Sequence, residues 1–451
     1  MSKTLALRTL VVVAALGGGC GRHQARVQTT PLGRVSYDLA EAVSADGRHL
    51  TSVTVAGGAL RTAVDGRPAP GYAGAPVGFP QFSPDGRRMG YVAMKGKRLV
   101  MVVDGKAGAD EYDAIVENLP TFSAEGKRVA YAAERNGRWV AVVDEKPGPE
   151  WDKVGMVVFS PDGKRVAYPV RRGMKWRVVV DAVAGAEYDT IGRASVVFSP
   201  DGKHVGYTAL TDGRWQVVAD GKAGPTYDSA EAPDFSRDGA RIAYRVKAGG
   251  KQFMVVDGTP GAAYDEVGRP VFSADGKRLA YWAEKGKRGV AVADGVEGTA
   301  FDRIKDWSLV FSADGKRLAY VASVGEQERP VVDGVVGPTY DFIVRGGVVF
   351  SPDGQRVGYG VGEGSKCRVV IDGRRGPRYD SVSAPLFSQD GRRVSYVATL
   401  GDKRFVVADG EPGPKYDSLW AESLAFGPDG AVGYLATVGA DLYRVKQFPS
   451  R

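Results

Sequence analysis

Two kinds of reactive side chain are scarce in this 451-residue chain, which holds 2 cysteines and 3 histidines. With only Cys20 and Cys367, no disulfide framework staples the fold, and Cys367 reads as a small strand residue rather than a nucleophile. His23, His49 and His204 share no motif, which argues against a metal cluster or a Ser-His-Asp triad. A nucleophile elbow, an H-E-x-x-H pair, a phosphate-binding glycine loop and a calcium-type aspartate loop are all missing. The apolar run at 10–16 is far shorter than the roughly 20 residues a spanning helix needs. Sustained helical periodicity is lacking too, which argues against a helical solenoid. Net charge is +8 without a dense basic tract, so no nucleic acid is expected as a partner.

Glycine is plentiful instead, at 62 residues in a chain that is 43% hydrophobic. That composition fits many tight turns between short strands. The N-terminus has basic Lys3 and Arg8, the apolar run, and then Gly17-Gly18-Gly19-Cys20. Residues 1–19 read as a signal peptide. Small residues directly before a cysteine resemble a bacterial lipoprotein signal, which implies acylation of Cys20 and leaves Cys367 without a partner. Removing 1–19 lowers the net charge to +6, since Lys3 and Arg8 go with it. Residues 20–33 are polar and aperiodic and read as a lipid-anchored flexible tether, with the repeat region spanning 34–451.

The main signal is a repeat: a "VVFSPDGKRVAY"-like segment, a basic turn, "RVVVDG", then "GPxYDxI". Its phenylalanines fall at 82, 122, 159, 198, 235, 272, 311, 350, 387 and 426, with a weaker copy at 43–47. A fixed period near 40 residues signals propellers, solenoids or arrays. Each copy reads as four strands: A ends at "FS", B is "KRVAYVA", C is "RWVAVVD" and D carries an aromatic-Asp pair such as Tyr112-Asp113 or Trp151-Asp152. Four strands per repeat is the signature of a β-propeller blade.

The expected fold is therefore an all-β propeller of about eleven four-stranded blades. Residues 34–39, "RVSYDL", look like an orphan strand D that completes the last blade, removing two exposed edges. Known rings have about four to eight blades, so two tandem rings of five and six are favoured over one large ring.

The "FSPDGKRVAY" core resembles the WD-like propeller repeat of the periplasmic Tol-system family typified by TolB. The resemblance covers nearly all of 34–446 and implies a propeller, whereas propellers host unrelated activities. The added "VVDG…GPxYD" signature departs from that family.

Chemistry repeated in every copy is expected to be structural. Asp85, Asp162, Asp201, Asp275, Asp314 and Asp353 occupy one turn position and read as turn formers. In the aromatic-Asp pairs the ring should pack between blades and the carboxylate should bond backbone locally. The B–C turns are mostly basic (Lys95, Lys97 and Arg98; Arg135 and Arg138; Arg171, Arg172 and Lys175; Lys285, Lys287 and Arg288; Lys403 and Arg404), forming either a rim for an anionic partner or a solvated edge.

Function is expected where blades differ, in the D–A connectors at the channel mouth. There Arg193, Arg269 and Arg345 recur, and Trp307 and Trp420 break the repeat. Tryptophan among arginines is the composition of a binding hot spot, and the same tryptophans could instead plug the channel as core. The expectation is a non-catalytic envelope lipoprotein, a scaffold for an envelope protein or an anionic polymer, needing no cofactor or metal. Lacking an aspartate after Cys20, it should sit on the outer membrane facing the periplasm. One rival is a hydrolase or lyase acting on glycan or peptide, requiring Asp306, Glu231 and Glu422 in one cleft. The other is a sensor or carrier of a small anion held by the arginines.

Overall fold

A computed structural model of the chain describes residues 76–116 and 119–448, with strand segments at 10–12, 27–34, 42–43, 50–56, 59–64 and 67–68. Cys20, His23 and His49 lie outside the described residues. Among the described residues, all regular structure spanning more than one turn is antiparallel β, arranged as eleven separate sheets. The chain divides into two compact units. Unit Tyr37–Ala300 holds seven sheets, at 42–68, 76–107, 114–147, 153–184, 190–227, 229–260 and 266–297. The other unit, Met1–Ser36 with Phe301–Arg451, holds four, at 303–336, 342–375, 381–412 and 418–447. In chain order they are the first to eleventh sheets.

Each sheet follows the order A–B–C–D. In the third, Val129–Arg135 (strand B) pairs with Arg138–Val143 (C), and C with Lys146–Pro147 (D). The repeated four-stranded antiparallel sheet makes this a β-propeller fold. Strand B is covered on both faces rather than half-buried: Val129, Ala130, Tyr131, Ala132 and Ala133 are all buried, and only Glu134 and Arg135 emerge.

Strand A departs from the expected plan. Ala114–Ile115 and Thr121–Phe122 both pair with strand B of the third sheet. The segment expected to link D to A is therefore an interruption within strand A. The "YDxI" run is correspondingly shared: Tyr112 exchanges backbone hydrogen bonds with Leu99 of the second sheet, while Asp113 N–H already donates to Glu134 of the third. Each aromatic-Asp pair is the crossing point between sheets.

The last sheet is completed by an N-terminal strand, as expected, but by Val27–Arg34 pairing with Asp441–Gln447. Of the predicted strand 34–39, Arg34 takes part and 35–39 lie outside the described residues. The segment read as tether is thus strand from Val27 onward, because Val27 is buried in the core of the last sheet and the β-branched Thr29 and Thr30 suit a strand. Leu10–Val12, within the segment read as a signal peptide, pairs in turn with Val27–Thr29.

Candidate functional site: the strand-A bulges and the two sheet edges

Three repeated contacts join successive sheets, and they account for most of the polar residues in the motif. At the A–B turn, Ser83 Oγ donates to Asp85 Oδ1 at 2.6 Å and accepts from Arg88 N–H, and later copies repeat this. The serine bond holds the turn carboxylates low, down to about 2 for Asp201. These aspartates are turn formers, as expected.

The following arginine reaches across. Arg128 donates to Asp144 of its own sheet at 2.9 Å and to the Gly163 carbonyl of the next sheet at 2.9 Å. Its guanidinium also lies over Phe159, 5.1 Å from the ring centroid. Arg88, Arg165, Arg317, Arg356 and Arg393 make the same contact. His204 holds this position in the fifth sheet, with Nδ1 2.6 Å from Asp220 Oδ2 and its ring stacked on Phe235.

Mid-sheet, the crossing aromatic packs edge-on against the strand-B tyrosine of the next sheet, as in Tyr112–Tyr131, Tyr188–Tyr207 and Tyr340–Tyr359. That expectation holds. The expected local bonding of the carboxylate does not. Asp189 accepts from Lys175 Nζ, 14 residues back, at 2.6 Å and from Asp212 N–H, in the B–C turn of the next sheet, at 2.9 Å. Asp152, Asp265, Asp380 and Asp417 do likewise with the amides of Gly173, Gly286, Gly401 and Gly439. Their carboxyls are held below the usual range by these bonds.

The basic rim is accordingly compensated. Lys95 pairs with Glu111 at 2.8 Å, Arg135 with Asp110 at 3.2 Å and Arg98 with Asp113 at 3.5 Å. Arg138, Lys175 and Lys403 hold the crossing aspartates. Arg172 lies 4.6 Å over Trp151, and Arg171 5.9 Å over Trp176. An anionic partner would have to displace these local carboxylates.

Residues that differ between repeats gather on the strand-A interruptions, opposite the middle of strand B. Such bulges leave ladder groups without partners, and a serine repairs several of them. Ser195 Oγ donates to Gly192 O at 2.8 Å and accepts from Thr208 N–H. Ser308 does the same between Lys305 and Val321, and Ser423 between Trp420 and Leu435. These staples fix what the bulges present.

Arg193 is exposed between Thr190–Ile191 and Val197–Phe198. Arg269 is exposed and donates to Asp234 Oδ1 at 3.0 Å. Trp307 is half-buried against the core of its sheet. Its ring lies 3.3 Å from where a Cβ on Gly347 would sit, two residues along from exposed Arg345. Trp420 is half-buried in Ser418–Phe426, paired with Leu435. Trp307 and Arg345 thus occupy adjacent bulges. Arg193 and Arg269 belong to the other compact unit. Of the three acids a hydrolytic cleft would need, Glu231 accepts from Arg245, while exposed Asp306 and Glu422 are in the unit without Glu231.

Sequence reading missed Asp234, Arg245 and Trp282. Asp234 stands in strand A where other copies have Val158, Val197 or Val271, and burial pushes its carboxyl up. Arg245 replaces the apolar Val92 or Val321 of strand B, donating to Val267 O at 2.8 Å as well as to Glu231. Trp282 packs on Gly268, beside Arg269. The legible signal was a charge at an otherwise apolar repeat position. Among the described residues, no group of three His, Cys, Asp or Glu side chains could hold a metal ion. A cleft of about 290 Å³ between the fourth and fifth sheets, lined by Val178, Val180, Val205 and Tyr207, lies away from these bulges.

Fold and site together define a β-propeller repeat protein with recurrent sheet-to-sheet contacts and variable strand-A bulges. No family model and no curated protein matches the chain. Among solved structures it is similar to a eukaryotic initiation factor, at 13% identity and TM-score 0.39 over 80% of this chain and 98% of that one. It is also similar to TolB from Acinetobacter baumannii, at 18% and 0.26 over 56% of this chain and 65% of that one. The β-propeller domain of the Trilobed protease from Pyrococcus furiosus matches at 15% and 0.27, over 58% and 97%.

Proposed function

We propose that this protein is a non-catalytic β-propeller scaffold of the bacterial cell envelope, binding another macromolecule through its strand-A bulges. The observation that carries the reading is the division of labour between residues. Repeated polar side chains are engaged in sheet-to-sheet contacts, whereas Arg193, Trp307 and Trp420 sit on serine-stapled bulges and Arg269 and Arg345 on bulges without the serine. Trp307 beside Arg345 is the strongest single element, since tryptophan and arginine dominate interface energetics. The partner is an envelope protein or an anionic polymer, and the molecule is held on the outer membrane, facing the periplasm, by an acylated Cys20.

The test is an affinity pulldown from cross-linked envelopes of the native host. Intact protein is compared with a folded variant carrying alanine at Arg193, Arg269, Trp307, Arg345 and Trp420. A specific macromolecule retained by the first and lost from the second is expected. If neither retains anything, or both retain the same species, the bulges are not the recognition surface.

A further inference from the structure

The ninth sheet brings one carboxylate and three arginines together at the ends of its strands. Strand B ends in Glu363, where other copies end in Lys95, Arg135, Arg172 or Lys285. Strand C carries Arg368 where other copies have Val100, Val140, Phe405 or, twice, arginine (Arg177 and Arg329), and strand D carries Arg375 in place of Ala107, Pro147, Pro260 or Pro412. Arg378 stands before the aromatic, where other copies have Glu111, Glu150, Glu187 or Lys415. Glu363 is the one acid among the described strand-B ends, and the four side chains meet.

Arg368, Arg375 and Arg378 reach Glu363 at 3.1, 3.3 and 3.4 Å. Glu363 is 19% exposed and Arg368 14%, whereas Arg375 and Arg378 are 51% and 61% exposed. Arg368 Nε is buried and makes no hydrogen bond. The Arg375 guanidinium lies over the Tyr340 ring, 5.8 Å from its centroid, which fixes its plane. The four side chains sum to +2. Neighbouring Lys366 is paired with Asp380, and Asp341, bonded to the Gly364 amide at 2.7 Å, lowers the surroundings to +1. One carboxylate cannot saturate three guanidinium groups, so forked donors remain open to solvent.

We propose that Glu363, Arg368, Arg375 and Arg378 form a binding site for a phosphate monoester, distinct from the strand-A bulges. Guanidinium forks match the oxygens of phosphate, and a cationic cradle suits its dianion. Glu363 holds the three arginines together in the empty site and competes with the ligand. The phosphate belongs either to a small phosphorylated solute or to a lipid headgroup.

Calorimetric titration of the full chain with inorganic phosphate, at fixed ionic strength against chloride, tests the site. Saturable phosphate binding is expected, abolished in Arg375→Ala/Arg378→Ala, whose exposed side chains leave the melting temperature close to that of the parent. Glu363→Gln should tighten binding at least threefold by removing the competing charge. Glycerol 3-phosphate and vesicles of phosphatidic acid in phosphatidylcholine separate the two sources by which one the double variant ceases to bind. Equal heats with phosphate and chloride, or unchanged phosphate binding by the double variant, overturn the proposal.

Discussion

Arg128→Ala should loosen the junction of the third and fourth sheets by about 2–3 kcal/mol. The guanidinium is 32% exposed, so its ion pair with Asp144 contributes only about 0.2–1 kcal/mol. Its bonds to the Gly163 and Lys164 carbonyls, at 2.9 and 3.1 Å, are charge-assisted and would each contribute about 1.5–3 kcal/mol if dry. Water can reach this edge, which reduces the two together to about 1–1.5 kcal/mol. Stacking over Phe159 adds about 0.5–1 kcal/mol at an exposed site. Arg128→Lys keeps the charge and loses the fork, so it should recover less than half of the loss. A chain of many sheets is not a two-state system, so hydrogen exchange is the right assay, read at the amides of 160–166. A loosening of 2 kcal/mol accelerates exchange there by about 30-fold, since about 1.4 kcal/mol corresponds to tenfold. Lys127→Ala, removing a 78% exposed neighbour, is the control. His204→Arg should work in reverse: it would supply the missing fork between the fifth and sixth sheets and slow exchange over 235–242 by about tenfold. If Arg128→Ala exchanges no faster than Lys127→Ala, the arginine contact is not what joins the sheets.

Asp234 titrates above its usual 3.8 because burial penalises its charged form, so its contribution to stability is fully present below pH 3.8 and is lost as pH rises through the folded value. Melting temperatures across pH should show Asp234→Asn gaining on the parent above that value and converging with it below; a constant difference would refute the shift. Arg269→Ala, removing the 3.0 Å partner, should push the transition higher still, as carboxyl NMR titration would show. Cys367 is 8% exposed and burial raises its thiol, so a maleimide should modify it only once denaturant opens the ninth sheet. Rapid labelling under native conditions would contradict that burial.

The period near 40 residues and the Ser-x-Asp-Gly turns made the four-stranded sheet legible, because turn chemistry and alternation are local. The packing of crossing tyrosines was legible for the same reason: a large ring repeated in every copy needs a repeated pocket. What was not legible depends on partners in the neighbouring sheet. Asp189 bonds Lys175 and Asp212, 14 and 23 residues away, so its role at the crossing and the neutralisation of the B–C rim both escaped a local reading. The bulge hid for another reason. Residues 192–196 resemble a loop, and only the pairing of Thr190–Ile191 and Val197–Phe198 with one strand shows that strand A continues across it. Val27–Arg34 was overlooked because Pro31 and Gly33 mask its alternation, and the register shifts there. Asp234 could have been found, since one acid among valines at a fixed repeat position is visible by eye.

The register of Val27–Arg34 also sets a polarity. Val27 lies opposite Gln447, beside the A–B turn, whereas Arg34 lies opposite Asp441, beside the B–C turn. Seven residue steps from Cys20 to Val27 reach no further than about 25 Å. An acyl chain on Cys20 would therefore moor the last sheet by its A–B end, keel down. Val438, 49% exposed at the B–C end, would then ride uppermost. Anything approaching through the aqueous compartment would meet the B–C turns of that sheet first, and anything gliding along the bilayer would meet its A–B turn.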